Sequence, residues 1–323
     1  MRRFLPSWLA PLLLLATVAC SPPAPAPGVP GGAGGRGVLQ VGVTVPPQAY
    51  LVERLGGGRV AIEVLMPSGS SEETFSPSPR QMVALSRADL YLLVGHPAFL
   101  VESRHVVPAL ERNRGVRVVG MWVEEGGGQG RDRGEARPNG HGHGDGEAED
   151  DPHLWTAPRA MRRSAVDVAA ALSELDPSDA PLYRARLASF LADLDALDAE
   201  IRRELSGLPR RRFLVAHPAW GRFASEYGLE QVAIEQEGKE PGPRRLVALL
   251  ETARAEGMRT VFSQRGFPDA AARAIAGELG ARVVPLDPLA RNWLDNTRWT
   301  ARAVAAELGG PAGRPGPAPA PSL

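Results

Sequence analysis

Four side chains able to hold a metal ion stand at comparable places along the chain: Glu73, His153, His217 and Asp287. Two are imidazoles, the commonest metal ligands among side chains, and two are carboxylates. Each follows a stretch whose apolar pattern predicts a β-strand. Glu73 comes after Val60–Met66, and His153 after Val116–Met121 and an acidic tract. His217 directly follows Phe213–Ala216, and Asp287 directly follows Val283–Leu286. Ligands of open α/β sheets lie beyond the carboxyl ends of strands, so a cleft fed by both halves of the chain could gather all four. Two nitrogens and two oxygens suit a borderline divalent ion such as zinc or manganese. Each residue also has a plainer reading. A strand-end histidine can simply hydrogen-bond backbone, and Asp287 before Pro288 fits turn chemistry. Glu73 fits a solvated loop acid or a charge at the start of a helix near Pro77.

The elements that would position these residues alternate along the chain. Strands are predicted at Val38–Val45, Val60–Met66, Asp89–Val94 and Val116–Met121, with helices at Pro46–Leu55, Pro77–Ser86 and Phe99–Arg112 between them. Helices follow at Pro158–Leu175 and Pro181–Leu205; in the second, Leu187, Leu191, Leu194, Leu197 and Ile201 form one apolar stripe. The alternation then restarts. Strands are predicted at Phe213–Ala216, Val232–Glu235, Thr260–Ser263 and Val283–Leu286, and helices at Ala219–Tyr227, Pro243–Glu256, Pro268–Leu279 and Thr300–Leu308. Strands separated by helices imply parallel sheets covered on both faces. The fold class expected is α/β, with two parallel-sheet lobes of four strand–helix units each, joined by a single long helix.

Composition limits the function classes. The 323 residues carry 37 Lys+Arg and 37 Asp+Glu, a formal net charge of zero, so the basic bias of a nucleic-acid-binding chain is absent. Hydrophobic residues make up 43%, enough for a core in each lobe. The 36 glycines and 31 prolines concentrate in stretches 21–36, 125–150 and 309–323, which lack apolar periodicity. Cys20 is the single cysteine, so no intrachain disulfide forms.

The N-terminus reads as a signal peptide over 1–19: Arg2 and Arg3 precede an apolar run from Leu9 to Val18. Thr17, Val18, Ala19 and Cys20 resemble a bacterial lipobox with Thr where Leu is usual, so Cys20 is expected to carry lipid; plain secretory cleavage after Ala19 is the rival. The apolar run is shorter than the roughly 20 residues of a membrane span. The expected segments are a lipid-anchor linker over 20–36, an N-terminal lobe over 37–157 with a His/acid-rich loop at 124–150, connecting helices over 158–207, a C-terminal lobe over 208–308 and a disordered tail over 309–323.

Several stretches together resemble the cluster A-I solute-binding proteins of bacterial ABC importers for zinc and manganese. They are Ser71 to Pro79; Asp151 to Trp155; Ala216 to Trp220 with Phe223 and Tyr227; Glu237, Gly238, Lys239, Glu240 and Pro241; and Asp287 to Trp293. The resemblance runs from about Val38 to Leu308. It implies two α/β lobes bridged by one rigid helix with the metal between them, and it matches His153, His217 and Asp287 to family ligands. The first position departs from the pattern: the family usually has Pro-His before Thr-Tyr-Glu-Pro, whereas this chain has Glu72 and Glu73 before Thr74, Phe75, Ser76 and Pro77. Glu73 then stands for the first histidine and makes the site harder and more anionic. Gln264 stands where some members have a glutamate and is expected to support the ligands, and His141 and His143 lie where zinc-importing members carry a histidine-rich loop.

The function expected is extracytoplasmic capture of a divalent ion, Zn2+ first with Mn2+ or Fe2+ as alternatives, and delivery to an ABC permease by a monomer tethered only through a lipid anchor. A surface adhesin is the rival within the same resemblance. A secreted zinc hydrolase is the rival from chemistry, but no His-Glu-x-x-His pattern occurs and four protein ligands would fill a tetrahedral site.

Overall fold

The computed structural model describes residues 37–72, 74–121, 151–235, 241–267 and 269–309. The leader, Cys20, Glu73, the His141/His143 loop, Glu237 to Glu240 and the tail from 310 lie outside the described residues. Two four-stranded parallel sheets carry the fold. The first holds β1 (Leu39–Val43), β2 (Val60–Val64), β3 (Leu90–Leu93) and β4 (Arg117–Gly120) in the order β2-β1-β3-β4. The second holds β5 (Arg212–Val215), β6 (Glu230–Ala233), β7 (Thr260–Gln264) and β8 (Arg282–Leu286) in the order β6-β5-β7-β8. The two lobes thus repeat one topology, as their like order of elements implied.

The helices are α1 (Pro46–Gly56), α2 (Pro79–Ser86), α3 (Val107–Arg112), α4 (Pro158–Leu175), α5 (Ala180–Glu204), α6 (Gly221–Glu226), α7 (Pro243–Ala255), α8 (Ala270–Leu279) and α9 (Trp293–Leu308). The connecting helix α5 has 25 residues, about 37 Å at the usual rise per residue. Its buried face is Tyr183, Phe190, Leu194, Leu197 and Ile201. Glu200 on α5 receives Arg298 and Arg302 of α9 at 2.7 and 2.6 Å.

Side-chain alternation along the strands divides the core. Phe213, Val215 and Phe262 face inward and join one apolar cluster with Val41, Tyr91, Phe190 and Leu194. Their neighbours Leu214 and Val261 face outward and join a smaller cluster with Leu249 and Ile275 under α7 and α8. The larger cluster therefore runs without a break from the first lobe through α5 into the second.

Most boundaries shift by a residue or two from the sequence expectations, and three differences have a visible cause. A single helix over Phe99–Arg112 is interrupted: Glu102–Val106 is one wide π-turn, and α3 follows. Pro108 has no N–H to give the carbonyl of Arg104, and the buried Glu102 carboxylate is held by the backbone N–H groups of Val94 and Gly95, each at 2.7 Å. Helix α9 starts at Trp293 rather than Thr300, because its buried positions include Asn296, Thr297 and Thr300, which hide the helical period from an apolar count. Helix α2 starts at Pro79, where Ser78 and Gln81 form a capping box.

Leu194 is 1% exposed on the helix that both lobes share. Leu194→Ala is expected to lower unfolding stability by about 2–5 kcal/mol, read from the urea midpoint at constant slope.

Candidate metal centre

The backbone around His153 is fixed before its ring is. Asp151 Oδ1 accepts the His153 backbone N–H at 2.9 Å, and the Thr156 hydroxyl donates to the His153 carbonyl at 2.8 Å. The same Asp151 oxygen lies 2.6 Å from His153 Nδ1. A carboxylate on one ring nitrogen fixes the tautomer and directs the other nitrogen outward, as in metal-ligating histidines. That other atom, Nε2, lies 2.8 Å from Glu72 Oε2. That contact is an ion pair, while His153 Nε2 and the other oxygen, Glu72 Oε1, are each buried without a hydrogen-bond partner. Buried polar atoms rarely stay unpaired.

His217 arrives from the second lobe, two residues beyond the end of β5. Its Nδ1 lies 3.3 Å from Glu235 Oε2, just past β6. Its ring stands 5.3 Å from that of His153, nearly perpendicular at 84°. Donor atoms of Glu72, His153 and His217 all lie within 4.8 Å of one another. Nitrogen and carboxylate oxygen with no thiolate are the donor set of a borderline to hard divalent cation, so the residues present fit such an ion.

The segments that carry these groups are laced together. The Trp155 indole N–H donates to the Pro288 carbonyl at 2.7 Å, and the Trp293 indole returns to the Trp155 carbonyl at 2.6 Å. The Ser68 hydroxyl, from the loop leading to Glu72, donates to the Leu289 carbonyl at 3.1 Å. Trp155 and Trp220 are both buried, and the Trp155 ring packs 5.3 Å from that of His153.

Of the four residues singled out in the sequence, the structure brings His153 and His217 together. Asp287 directly follows β8 and is buried, with its Oδ1 accepting the Leu289 N–H at 3.0 Å. It is not in the group within 4.8 Å. Glu73 lies outside the described residues, and the carboxylate at His153 is that of its neighbour Glu72. Two supporting acids, Asp151 and Glu235, were legible only as acids near a motif and at a strand end. Gln264 is buried with Oε1 unpartnered, and its backbone pairs with Leu286, just before Asp287.

Electrostatics favour a cation here. Burial alone would lower the His153 pKa, but the Glu72 and Asp151 carboxylates outweigh it and push the imidazole up to about 10. Burial likewise opposes ionisation of Asp151, yet His153 and Arg222 hold its carboxyl below the usual range. Burial raises Asp287, against the Leu289 N–H and Arg265.

Because the folded pKa of His153 exceeds its unfolded value, its contribution to metal-free stability is full below about pH 6.5 and is lost as pH rises through about 10. Glu72→Gln removes one of the two charges, so His153 is expected to titrate at lower pH and the variant to lose less stability across that window. Imidazole NMR titration and thermal midpoints of the metal-free proteins check this.

Comparison with known proteins agrees with this geometry. Residues 41–306 match the family model of ZnuA, the periplasmic component A of a zinc-uptake complex. The high-affinity zinc uptake system protein ZnuA of Bacillus subtilis is 25% identical over 261 residues, 78% of each chain. The zinc-bound crystal structure of a ZnuA deletion mutant is 34% identical, covers 85% of this chain and all of that one, and superposes with a TM-score of 0.73. A further ZnuA crystal structure is 35% identical with a TM-score of 0.71, over 83% of this chain and 98% of that one. With two like-ordered lobes, a long bridging helix and paired histidines between them, the chain belongs to the ZnuA family of extracytoplasmic metal-binding proteins for uptake, and is not an enzyme.

Proposed function

We propose that this protein captures a zinc ion outside the cytoplasmic membrane and hands it to the permease of an ABC importer. The observation that carries the proposal is the trio of Glu72, His153 and His217, the first two buried, with His153 Nε2 and Glu72 Oε1 lacking hydrogen-bond partners. Asp287 supplies the fourth ligand. Its segment is already tied to that of His153 by the Trp155 and Trp293 indoles, and a carboxylate raised by burial gains from a cation. With Glu72 and Asp287 ionised and both imidazoles neutral, the ligand set cancels the charge of a divalent ion. Two imidazoles favour zinc; two carboxylates leave manganese second and iron(II) possible. Two of the relatives compared are described by their zinc uptake or bound zinc.

Capture needs only ligand exchange. The ion takes the place of the proton on His153 Nε2, while Asp151 and Glu235 hold the two rings by Nδ1. The leader and Cys20 motif support a lipid tether, and among the described residues no helix is long and apolar enough to cross a membrane.

Metal-stripped protein titrated with zinc, manganese and iron(II) in competition tests the reading. His153→Ala with His217→Ala is expected to weaken zinc binding by more than about 100-fold, beyond the usual cost of losing an outer-shell partner; wild-type affinity in that variant would exclude the site. Glu72→Gln is expected to weaken zinc binding more than Glu73→Gln, and the reverse order would return the first position to Glu73. At pH 7.5, zinc binding is expected to release about one proton from His153 and to weaken about tenfold per pH unit of acidification. Calorimetry in buffers of different ionisation enthalpy reads the proton.

A further inference from the structure

We propose that Gly221 and Arg222, at the start of α6, are positioning residues for cargo capture: they seat Asp151 and, through it, fix the ring of His153. The inference rests on His153 being a ligand, as argued above.

The two oxygens of Asp151 face different parts of the molecule. Oδ1 serves His153, taking both its backbone N–H and its ring Nδ1 at 2.9 and 2.6 Å. Oδ2 serves the second lobe, accepting the Arg222 backbone N–H at 3.2 Å. The Arg222 side chain adds a second hold, with Nε donating to the Asp151 carbonyl at 2.9 Å. Asp151 is therefore gripped by both its carboxylate and its backbone.

The grip requires a residue without a side chain beside it. A Cβ built on Gly221 would lie 2.6 Å from Asp151 Oδ2 and 2.8 Å from Gln231 Nε2. Real Cβ atoms essentially never approach other atoms that closely. Gly221 does not need the left-handed region, so its absent side chain serves the close approach of Asp151 and not a turn. Alanine is also the better helix former at such a position. Substitution there should therefore leave the helix intact and move the carboxylate.

The arrangement has a consequence for how the lobes cooperate. His217 lies four residues before Gly221 in the same segment. One short stretch of the second lobe thus contributes its own ligand and also holds the support of the other lobe's ligand. His153 is aimed only when that stretch is docked, so the two imidazoles are presented together and not independently.

Zinc titration of the full chain, metal-stripped, tests the proposal. Gly221→Ala is expected to weaken zinc binding by about 10- to 100-fold, the usual cost of disturbing an outer-shell partner, with the metal-free protein still folded by circular dichroism and its thermal midpoint lowered. The downfield imidazole N–H resonance of His153 should shift or vanish while that of His217 stays. In an Asp151→Ala background, Gly221→Ala should cost nothing further. Wild-type affinity in folded Gly221→Ala, or an equal loss in the Asp151→Ala background, would overturn the inference. Should Gly221→Ala not fold, Arg222→Ala decides by the same affinity and resonance readings. A His153→Ala control separates the two levels: if it leaves zinc affinity intact, the site itself is wrong; if it weakens binding while Gly221→Ala does not, only the positioning role fails.

Discussion

The rest of the structure depends on one buried imidazole held between two carboxylates. Asp151, His153 and Glu72 are each at most 9% exposed. With the ring protonated they carry a net charge of −1 in a place where water cannot relax it. Buried charge is tolerated only when paired and hydrogen-bonded, and here the pairing is incomplete, since His153 Nε2 and Glu72 Oε1 lack hydrogen-bond partners. A divalent cation on the same atoms completes it better than a proton does. Affinity for metal and dependence on pH are therefore two aspects of the same electrostatic fact.

That cluster can be maintained because its supports come from several segments at once. The Trp155 and Trp293 indoles exchange hydrogen bonds with backbone across the junction, and Ser68 ties the loop of Glu72 to Leu289. Beneath them one apolar cluster continues from the first sheet through α5 to the second. A long helix with a buried face on both lobes gives the site a stiff base, and interiors packed this densely transmit displacement rather than absorb it. Small shifts of Asp151 or Glu235 would then be felt directly at the ring nitrogens of His153 and His217.

Metal choice follows from the same geometry. In the proposed ligand set, imidazoles steadied by carboxylates are strong zinc donors, and Glu72 in place of a further imidazole hardens it. A site of this mixed character discriminates by coordination geometry more than by donor softness.

The sequence alone determined the sheets, their division into two like halves and the long helix, and it singled out His153 and His217, which the fold brings together. Strand and helix periods are local, and that of β5 places His217 just beyond its end. It singled out Glu73, whereas the described carboxylate beside His153 is that of Glu72; the loop after β2 has no period, and a one-residue choice there depends on how distant segments meet. It missed the start of α9, where Asn296, Thr297 and Thr300 are buried by tertiary contacts that an apolar count does not register. The contacts of Asp151, Glu235, Gly221 and Arg222 are likewise set only in three dimensions. Each acts through a contact with a segment remote in the sequence or on another strand, and the choice of partner is set by packing between lobes and not by spacing along the chain.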